Sequence, residues 1–196
     1  DVCSSDLHRR VAAALVMRRV VVVLAVLLLG CSSKPQVVHD YDHVPVPAVP
    51  ERTLGVAADG ALPDGVYWAA SVRITSAGGT DTIELRVTQA TFGPACEQAG
   101  GTDCANGYAA VLEPHRDITS SPSDLRSASV AAESRQNYAV TPPEWVRLVR
   151  GDAPSSTAPA EYRYAQFPYL VTIANGSVVE LRQVWVPAVL EPQPGW

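Results

Sequence analysis

The sequence predicts a mainly β (α+β) fold, a small antiparallel β-barrel or curled sheet of five to six strands with one short helix. Two observations carry this prediction. Several runs alternate apolar and polar residues with the period of two that is typical of half-buried strands, and glycine-rich or Asn-Gly turns separate them. Within the domain, residues 142–149 combine helix-start signals with an apolar face, which predicts the helix.

The first predicted hairpin follows the turn sequence Leu-Pro-Asp-Gly at residues 62–65. Residues 66–75 alternate in polarity, and we expect one strand whose inward side chains are Val66, Trp68, Ala70, Val72 and Ile74. A turn at residues 77–79 leads to a second strand with Ile83, Leu85 and Val87 pointing inward. Together these strands predict a hairpin with one solvated face.

Weaker signals mark the middle of the domain. Residues 108–112 predict a short third strand, and residues 128–132 predict a weak fourth one. The helix is expected to follow Thr141 as its N-cap, with Pro142 at the first helical position, Glu144 completing a capping box and Gly151 ending it. Residues 151–166, rich in Pro, Ser, Thr and Ala, predict a loop.

The last hairpin has the clearest signal, because Asn175-Gly176 separates two apolar runs at residues 168–174 and 177–186. Asn-Gly favours a type I′ turn, which joins two adjacent antiparallel strands. Pairing outward from this turn predicts that Leu170 lies beside Leu181, and that Thr172 lies beside Val179 on the same face.

Residues 17–31, MRRVVVVLAVLLLGC, precede the domain with two arginines, ten apolar residues and the sequence Leu-Leu-Gly-Cys. A run of ten apolar residues is shorter than the roughly 20 that a membrane-spanning helix needs. The pattern resembles the signal peptide of bacterial lipoproteins. The resemblance implies cleavage before Cys31 and attachment of lipid to that cysteine, which would hold the protein at the extracytoplasmic face of the cell membrane.

This resemblance sets the expected organisation of the chain. Residues 1–16 are interpreted as a non-native upstream translation, residues 17–30 as the signal peptide and residues 31–61 as the lipidated cysteine with a proline-rich tether. Residues 62–187 are the β-rich globular domain. Residues 188–196 are expected to be a flexible tail. The pattern of residues 62–187 is similar to a group of uncharacterised exported bacterial lipoproteins, which implies no mechanism.

From Cys31 onward the chain has eleven basic and eighteen acidic residues, a net charge of −7. Basic residues form no run, so nucleic acid is excluded as a partner and membrane attachment is expected to depend on lipid. Two cysteines remain in this part of the chain, Cys96 and Cys104. In an oxidising compartment an isolated pair at this spacing predicts a disulfide, which would close a glycine-rich loop.

Candidate chemistry is sparse. Residues 39–43, His-Asp-Tyr-Asp-His, are the densest group of metal-capable side chains, but they lie in the predicted tether, and we expect no metal site and no cofactor. His115 is the domain's histidine, with Ser120, Ser121 and Ser123 near it in sequence. A small exported hydrolase using His115 is therefore an alternative, although the chain has no nucleophile-elbow, zinc-protease or phosphate-loop motif and no catalytic residue is assigned.

The strongest candidate surface is residues 161–169, in which aromatic side chains and one arginine are concentrated: Tyr162, Arg163, Tyr164, Phe167 and Tyr169. Tyr and Arg concentrate binding energy at interfaces. The sequence therefore predicts a non-enzymatic, lipid-anchored envelope module that binds a protein, peptide or cell-wall glycan. Two alternatives stay open: Phe167 and Tyr169 pack into the core instead, or the domain is a structural envelope spacer.

Overall fold

The structure, a computed structural model, describes residues 39–101, 104 and 107–186, which belong to one compact unit, Val38–Trp196. The predicted upstream segment, signal peptide, Cys31 and tail lie outside the described residues. The strands are β1 (His43–Val44), β2 (Gly65–Ala69), β3 (Val72–Ala77), β4 (Thr80–Thr91), β5 (Ala109–Ser120), β6 (Ser127–Ala131), β7 (Asn137–Val140), β8 (Tyr169–Ala174) and β9 (Ser177–Gln183). The helices are α1 (Gly93–Gln98) and α2 (Pro142–Val149), with a 3₁₀ turn at Pro122–Asp124.

All nine strands of the described region belong to one sheet, in the order β1-β7-β6-β9-β8-β2-β4-β3, with β5 also pairing β4. The mainly β class is confirmed. The expected number of five to six strands is wrong, and one neighbouring pair, β6 and β9, is parallel. Among the described residues the order is an open path from β1 to β3, which corresponds to the curled sheet and not to a closed barrel.

The alternating run at residues 66–75 forms two strands instead of the one that we expected. β2 pairs β8 and, at Trp68, also β4, whereas β3 pairs β4. Tyr67 and Ala69 lie in the larger core cluster together with Val72, while Trp68 lies in a second, smaller cluster. Both faces of β2 are buried, so the prediction that Trp68 points inward applies only to the face in the smaller cluster. Residues 70 and 71 interrupt the alternation. The larger core therefore contains Tyr67 and Ala69 from β2 but Val72 from β3.

The other predicted elements agree more closely with the structure. Ile83, Leu85 and Val87 are buried, and Gly78 and Gly79 form the two-residue turn with positive φ values of 59° and 80°. The predicted third strand is much longer, since β5 continues through the polar residues 113–117. The strand β7 was not predicted. Four buried residues in a row leave no alternating pattern there to recognise.

The hairpin of β8 and β9 turns at Asn175-Gly176, as predicted, with φ values of 51° and 76°. Its predicted register is wrong beyond the first two residue pairs. A β-bulge at the step from Thr172 to Ile173 leaves Val179 without an opposite residue, so Val171 lies beside Leu181 and Thr172 lies beside Glu180. One extra residue on one strand shifts all later pairs by one.

Helix α2 occupies the predicted residues and buries Trp145 and Leu148 in the larger core. Its predicted capping box is wrong. The Thr141 side chain makes no cap hydrogen bond; instead the Thr141 N–H donates to the Asp40 carboxylate at 2.5 Å. Glu144 instead accepts hydrogen bonds from Tyr41, Arg147 and the Ser155 N–H. Gly151 follows the helix with φ 87°, the left-handed conformation that suits glycine at a helix end.

Residues 39–61, which the sequence assigns to the tether, pack against the sheet. Tyr41, Thr53 and Val56 are buried, and β1 pairs β7. The Thr53 N–H donates to the Ala90 carbonyl at 2.9 Å. Proline prevents a helix here but not burial, because apolar residues on either side of the proline run, such as Tyr41 and Val56, supply surface to the core. Within the described residues, the folded unit therefore includes His39 onward instead of beginning at Leu62.

Candidate functional site

The predicted aromatic binding stretch is largely core. Tyr162, Phe167 and Tyr169 are buried, at 2%, 8% and 0% exposure. The Tyr164 and Tyr169 hydroxyls are hydrogen-bonded at 2.9 Å, and Tyr169 packs edge-on to Trp145 with ring centroids 6.2 Å apart. The assignment of these residues to an exposed binding surface is corrected accordingly. Aromatic side chains bury large apolar areas, which makes the core the favoured place for them.

Arg163 is the exposed member of the predicted stretch. Its guanidinium donates to the main-chain carbonyls of Ala160 and Tyr162 at 2.9 and 2.7 Å. These contacts hold the loop that precedes β8. None of the predicted aromatic side chains is exposed beside Arg163, since Tyr164 is partly buried against the larger core and its hydroxyl is hydrogen-bonded to that of Tyr169.

His115 lies within β5, with Nδ1 2.8 Å from the Glu113 carboxylate. The serine alternative requires a hydroxyl beside this ring. Ser120 is five residues further along the same strand, in the segment 116–120 that pairs regularly with β4, whereas His115 belongs to the bulged residues 112–115 between the pairs Val87–Arg116 and Gln89–Val111. The Ser120 Oγ accepts a hydrogen bond from the Val178 N–H at 3.2 Å. The Ser120 hydroxyl is thus engaged with the main chain of β9.

The histidine and aspartate group at residues 39–43 forms a turn that anchors the start of the folded unit. Asp42 accepts a hydrogen bond from the His39 N–H at 2.9 Å, and Asp40 accepts from Thr141. His43 stacks against Tyr138 with centroids 4.9 Å apart. In the part of the chain that the structure describes, no group of three or more His, Cys, Asp or Glu residues is arranged to hold a metal ion.

Glu144 is the most deeply buried carboxylate of the described region, at 4% exposure. Its Oε1 accepts hydrogen bonds from the Tyr41 hydroxyl at 2.6 Å and from the Ser155 N–H at 2.8 Å, while Oε2 accepts from Arg147 at 2.9 Å. Three donors compensate the buried charge. This network joins the start of the folded unit, helix α2 and the following loop.

Burial alone would raise the pKa of Glu144, but the hydrogen bonds from Tyr41 and Ser155, with the charge of Arg147, outweigh burial and leave this pKa below its ordinary value. Burial and the same Glu144 contact raise the pKa of Tyr41 far above its usual range. The ionised Glu144 carboxylate and the neutral Tyr41 hydroxyl therefore form a stable hydrogen-bonded pair, and we assign this pair a structural role.

The predicted disulfide between Cys96 and Cys104 is confirmed, with Cα atoms 5.6 Å apart. Cys96 lies on α1, a short helix that the sequence analysis missed because its pattern spans only six residues. Gly101 lies directly against both sulfur atoms, so a Cβ at this position would collide with them. The glycine in this loop is therefore needed for close packing on the disulfide.

A groove of about 550 Å³ runs along the exposed side of α2, between this helix, the 3₁₀ turn and the end of the β3–β4 hairpin. We call it the α2 groove. Its lining is mainly apolar, with a charged rim, and consists of Asp81, Pro122, Ser123, Leu125, Pro142, Pro143, Val146, Arg147 and Arg150. Its size lies within the range of ligand sites in proteins.

The charged rim of the α2 groove has one carboxylate and two guanidiniums. The Arg150 Nη2 donates to the Asp81 carboxylate and, at 2.8 Å, to the Ser76 hydroxyl. Ser76 in turn donates to Asp81 at 2.8 Å. Arg147 pairs with the buried Glu144 and remains 45% exposed. Each guanidinium at the rim is therefore balanced by a carboxylate.

The α2 groove was not predicted from the sequence, in which helix α2 was assigned only an inward face with Trp145 and Leu148. The usable signal was the outer face, since Pro143, Val146, Arg147 and Arg150 are spaced three, four and seven residues apart and so share one side of the helix. That Asp81 and Leu125 lie beside this face depends on strand and turn packing, which no local pattern predicts.

Comparison of the sequence with protein-family models and with curated proteins, and of the fold with solved structures, finds no match. Among residues 39–101, 104 and 107–186, no helix combines the length and apolarity required to cross a membrane.

Proposed function

We propose that this protein is a lipid-anchored, non-enzymatic module of the cell envelope that binds a protein or peptide partner in the α2 groove. The observation that carries the proposal is the groove itself, an open, mainly apolar surface with a charged rim on helix α2, which packs over the sheet. Small apolar floors with a few convergent polar groups are the usual form of binding sites.

The composition of the groove favours a peptide over a cell-wall glycan. Its described lining contains prolines and aliphatic side chains, Leu125 and Val146 among them, and no aromatic residue. Sugars are bound on stacked aromatic faces with many hydrogen-bonding groups around them. Apolar side chains of a peptide match proline, leucine and valine better, because they bury apolar area on both partners.

The proposed location rests on the sequence of residues 17–31, with its basic start, apolar run and Leu-Leu-Gly-Cys ending. The Cys96–Cys104 disulfide supports it, because disulfides persist in oxidising, extracytoplasmic compartments. The test is Cys31→Ser in intact cells, with a fatty acid label and membrane fractionation. We expect the label and the membrane association to be lost together; a variant that stays labelled in the membrane fraction contradicts the anchor.

The binding role is tested with a photo-crosslinking amino acid placed at Ser123, an exposed position on the groove rim. The matched control is Ser134, an exposed position in the turn between β6 and β7. We expect a discrete adduct in intact cells from the Ser123 position and none from Ser134. Equal adducts from both positions would indicate nonspecific contact, and adducts from neither would favour the structural spacer.

A further inference from the structure

Residues 44–50, Val-Pro-Val-Pro-Ala-Val-Pro, form an exposed segment whose two ends are fixed to the sheet. We call them the proline segment. At its start, β1 pairs β7. Just after its end, the Glu51 carbonyl accepts a hydrogen bond from the Phe92 N–H at 2.9 Å, and the Thr53 N–H donates to the Ala90 carbonyl. The segment is therefore held between β7 and the end of β4.

Sequence and hydrogen bonding together define the conformation of the proline segment. Each of its prolines has φ fixed at about −65°, and the residue before each proline is restricted to the extended region. Among the described residues, no main-chain hydrogen bond involves positions 45–50. A chain with these restrictions and a solvated backbone adopts the polyproline II conformation, which repeats every three residues.

Burial along the proline segment follows this period of three. One face packs on the folded unit, with Pro47 buried and Val44 half-buried. The other two faces are exposed and consist of Pro45, Val46, Ala48 and Val49. Val46 and Val49, which are three residues apart, are 53% and 39% exposed. Two of the three faces therefore present apolar side chains to solvent.

From this arrangement we infer that the proline segment is a docking site for a protein whose binding groove is lined by aromatic side chains. Grooves of this kind recognise polyproline II segments, because flat rings pack against proline rings and against the aliphatic side chains between them. Such a groove can contact the two exposed faces while the third stays on the folded unit. The site shares no residue with the α2 groove and goes beyond the proposed function.

The hydrogen-bonding capacity of the segment also matches an aromatic groove. In the described region the carbonyls of residues 45–50 accept no main-chain hydrogen bond. The Trp N–H and the Tyr hydroxyl are donors carried on apolar rings, so they can donate to these carbonyls while the rings pack on the prolines. The same side chains thus satisfy both the apolar and the polar parts of the segment.

Charge does not select the partner at this place. No ionisable side chain lies between His43 and Glu51, and Glu51 and Arg52 bring opposite charges to the same end of the segment. A partner that depends on ion pairs would find none along the prolines. Apolar area on Val46 and Val49 remains available for burial and is the main source of affinity.

The fixed ends lower the entropic cost of binding. A free peptide loses backbone freedom when a groove orders it. The proline segment is already ordered by its prolines and by the contacts at both ends. Preorganisation of this kind leaves more of the contact energy as affinity.

The test places a photo-crosslinking amino acid at Ala48 of the full chain in intact cells. The matched control is Ala58, an exposed alanine outside the prolines. We expect a discrete adduct from position 48 only, and mass spectrometry should map the crosslink on the partner beside Trp, Tyr or Phe. In isolated membranes, the acetylated amide of Val-Pro-Val-Pro-Ala-Val-Pro should prevent the adduct. The same peptide with alanine for each proline should be several-fold less effective, because it is not ordered before binding.

Substitutions in the chain test the apolar faces with the crosslinker kept at position 48. Val46→Ser together with Val49→Ser is expected to reduce the adduct by roughly tenfold, since apolar area is lost from the contact. Leu54→Ser, a change at a similarly exposed residue outside the segment, should leave the adduct unchanged. Urea unfolding should be the same for these variants because the side chains are exposed, so a lost adduct does not reflect a lost fold.

Each other outcome overturns the inference. No adduct from position 48, or equal adducts from positions 48 and 58, contradicts the docking site. Equal competition by both peptides contradicts recognition of the polyproline II conformation. A crosslink to a surface without aromatic side chains contradicts the partner's chemistry, and so does a second copy of this chain bound through its α2 groove, whose described lining has no aromatic residue. The crosslink at Ser123 tests the α2 groove separately, so either site can fail alone.

Discussion

Residues 161–169 and the α2 groove differ in whether their amino-acid composition predicts their exposure to solvent. The first stretch has the composition of a binding surface, yet Tyr162, Phe167 and Tyr169 are buried. The groove has an ordinary composition of prolines, aliphatic residues and two arginines, yet it is an exposed concave surface. In a small domain the largest aromatic side chains are needed for the core. Aromatic density therefore predicts packing here, and the exposed outer face of a helix indicates the candidate site.

The largest expected effect tests the buried side of this comparison. Tyr169→Ala removes a fully buried ring that packs against Trp145, and should lower the free energy of unfolding by about 3–5 kcal/mol. Urea denaturation measures the change. Arg163→Ala, from the same stretch, should stay within about 0.5 kcal/mol of the native chain. If Tyr169→Ala were as stable as the native chain, Tyr169 would not be a core residue, and the contrast between residues 161–169 and the α2 groove would be wrong.

The second expected effect concerns the disulfide loop, which belongs neither to residues 161–169 nor to the α2 groove. Replacing Cys96 and Cys104 together by alanine should cost about 2.5 kcal/mol, because a cross-link across eight residues restricts the unfolded chain by that amount in the loop-entropy model. Urea unfolding with and without reductant measures it. The native chain in reductant should match the double variant. A variant as stable as the oxidised chain would show that the bond restricts little.

The third expected effect uses pH to examine the Glu144 network beneath the groove. Tyr41→Phe removes a hydrogen bond to an ionised carboxylate and should cost about 2 kcal/mol at neutral pH. The folded-state pKa of Glu144 is lowered, so this stabilisation is fully present above its unfolded pKa of about 4.3 and is lost as pH falls through the folded pKa. The stability difference between the two chains should therefore shrink in acid.

Tyr67→Phe is the control for this pH dependence. The Tyr67 hydroxyl donates to the Pro63 carbonyl at 2.6 Å, an acceptor that does not titrate. Its loss should lower the free energy of unfolding by the same amount across the acid range. Parallel pH profiles for the two phenylalanine variants would mean that the Tyr41 bond does not depend on an ionised Glu144.

Much of this fold could be predicted because its signals are local. The Asn-Gly turn, the Gly-Gly turn, the alternation of Ile83, Leu85 and Val87 and the proline start of α2 depend on a few neighbouring residues. The missed features depend on distant contacts. The Val179 bulge, the two buried faces of β2 and the docking of Tyr41 onto Glu144 exist only once strands far apart in sequence are paired.

The candidate site divides in the same way. The pair Cys96 and Cys104 could be predicted, because spacing and compartment suffice for that inference. Ser76, Asp81 and Arg150 could not be predicted as a cluster, since more than sixty residues separate the β3–β4 hairpin from the end of α2. Their meeting depends on how α2 lies over the sheet. The amphipathic pattern predicts which face of α2 is buried but not which hairpin lies beside it.

The smallest expected effect tests the exposed side of the comparison. Arg150→Gln removes an exposed ion pair and should lower the free energy of unfolding by less than about 1 kcal/mol, because water already screens Arg150 and Asp81. Thermal or urea unfolding measures the change. Destabilisation as large as that of Tyr41→Phe would make Arg150 a clamp between α2 and the β3–β4 hairpin, and the groove would then be a structural seam like residues 161–169.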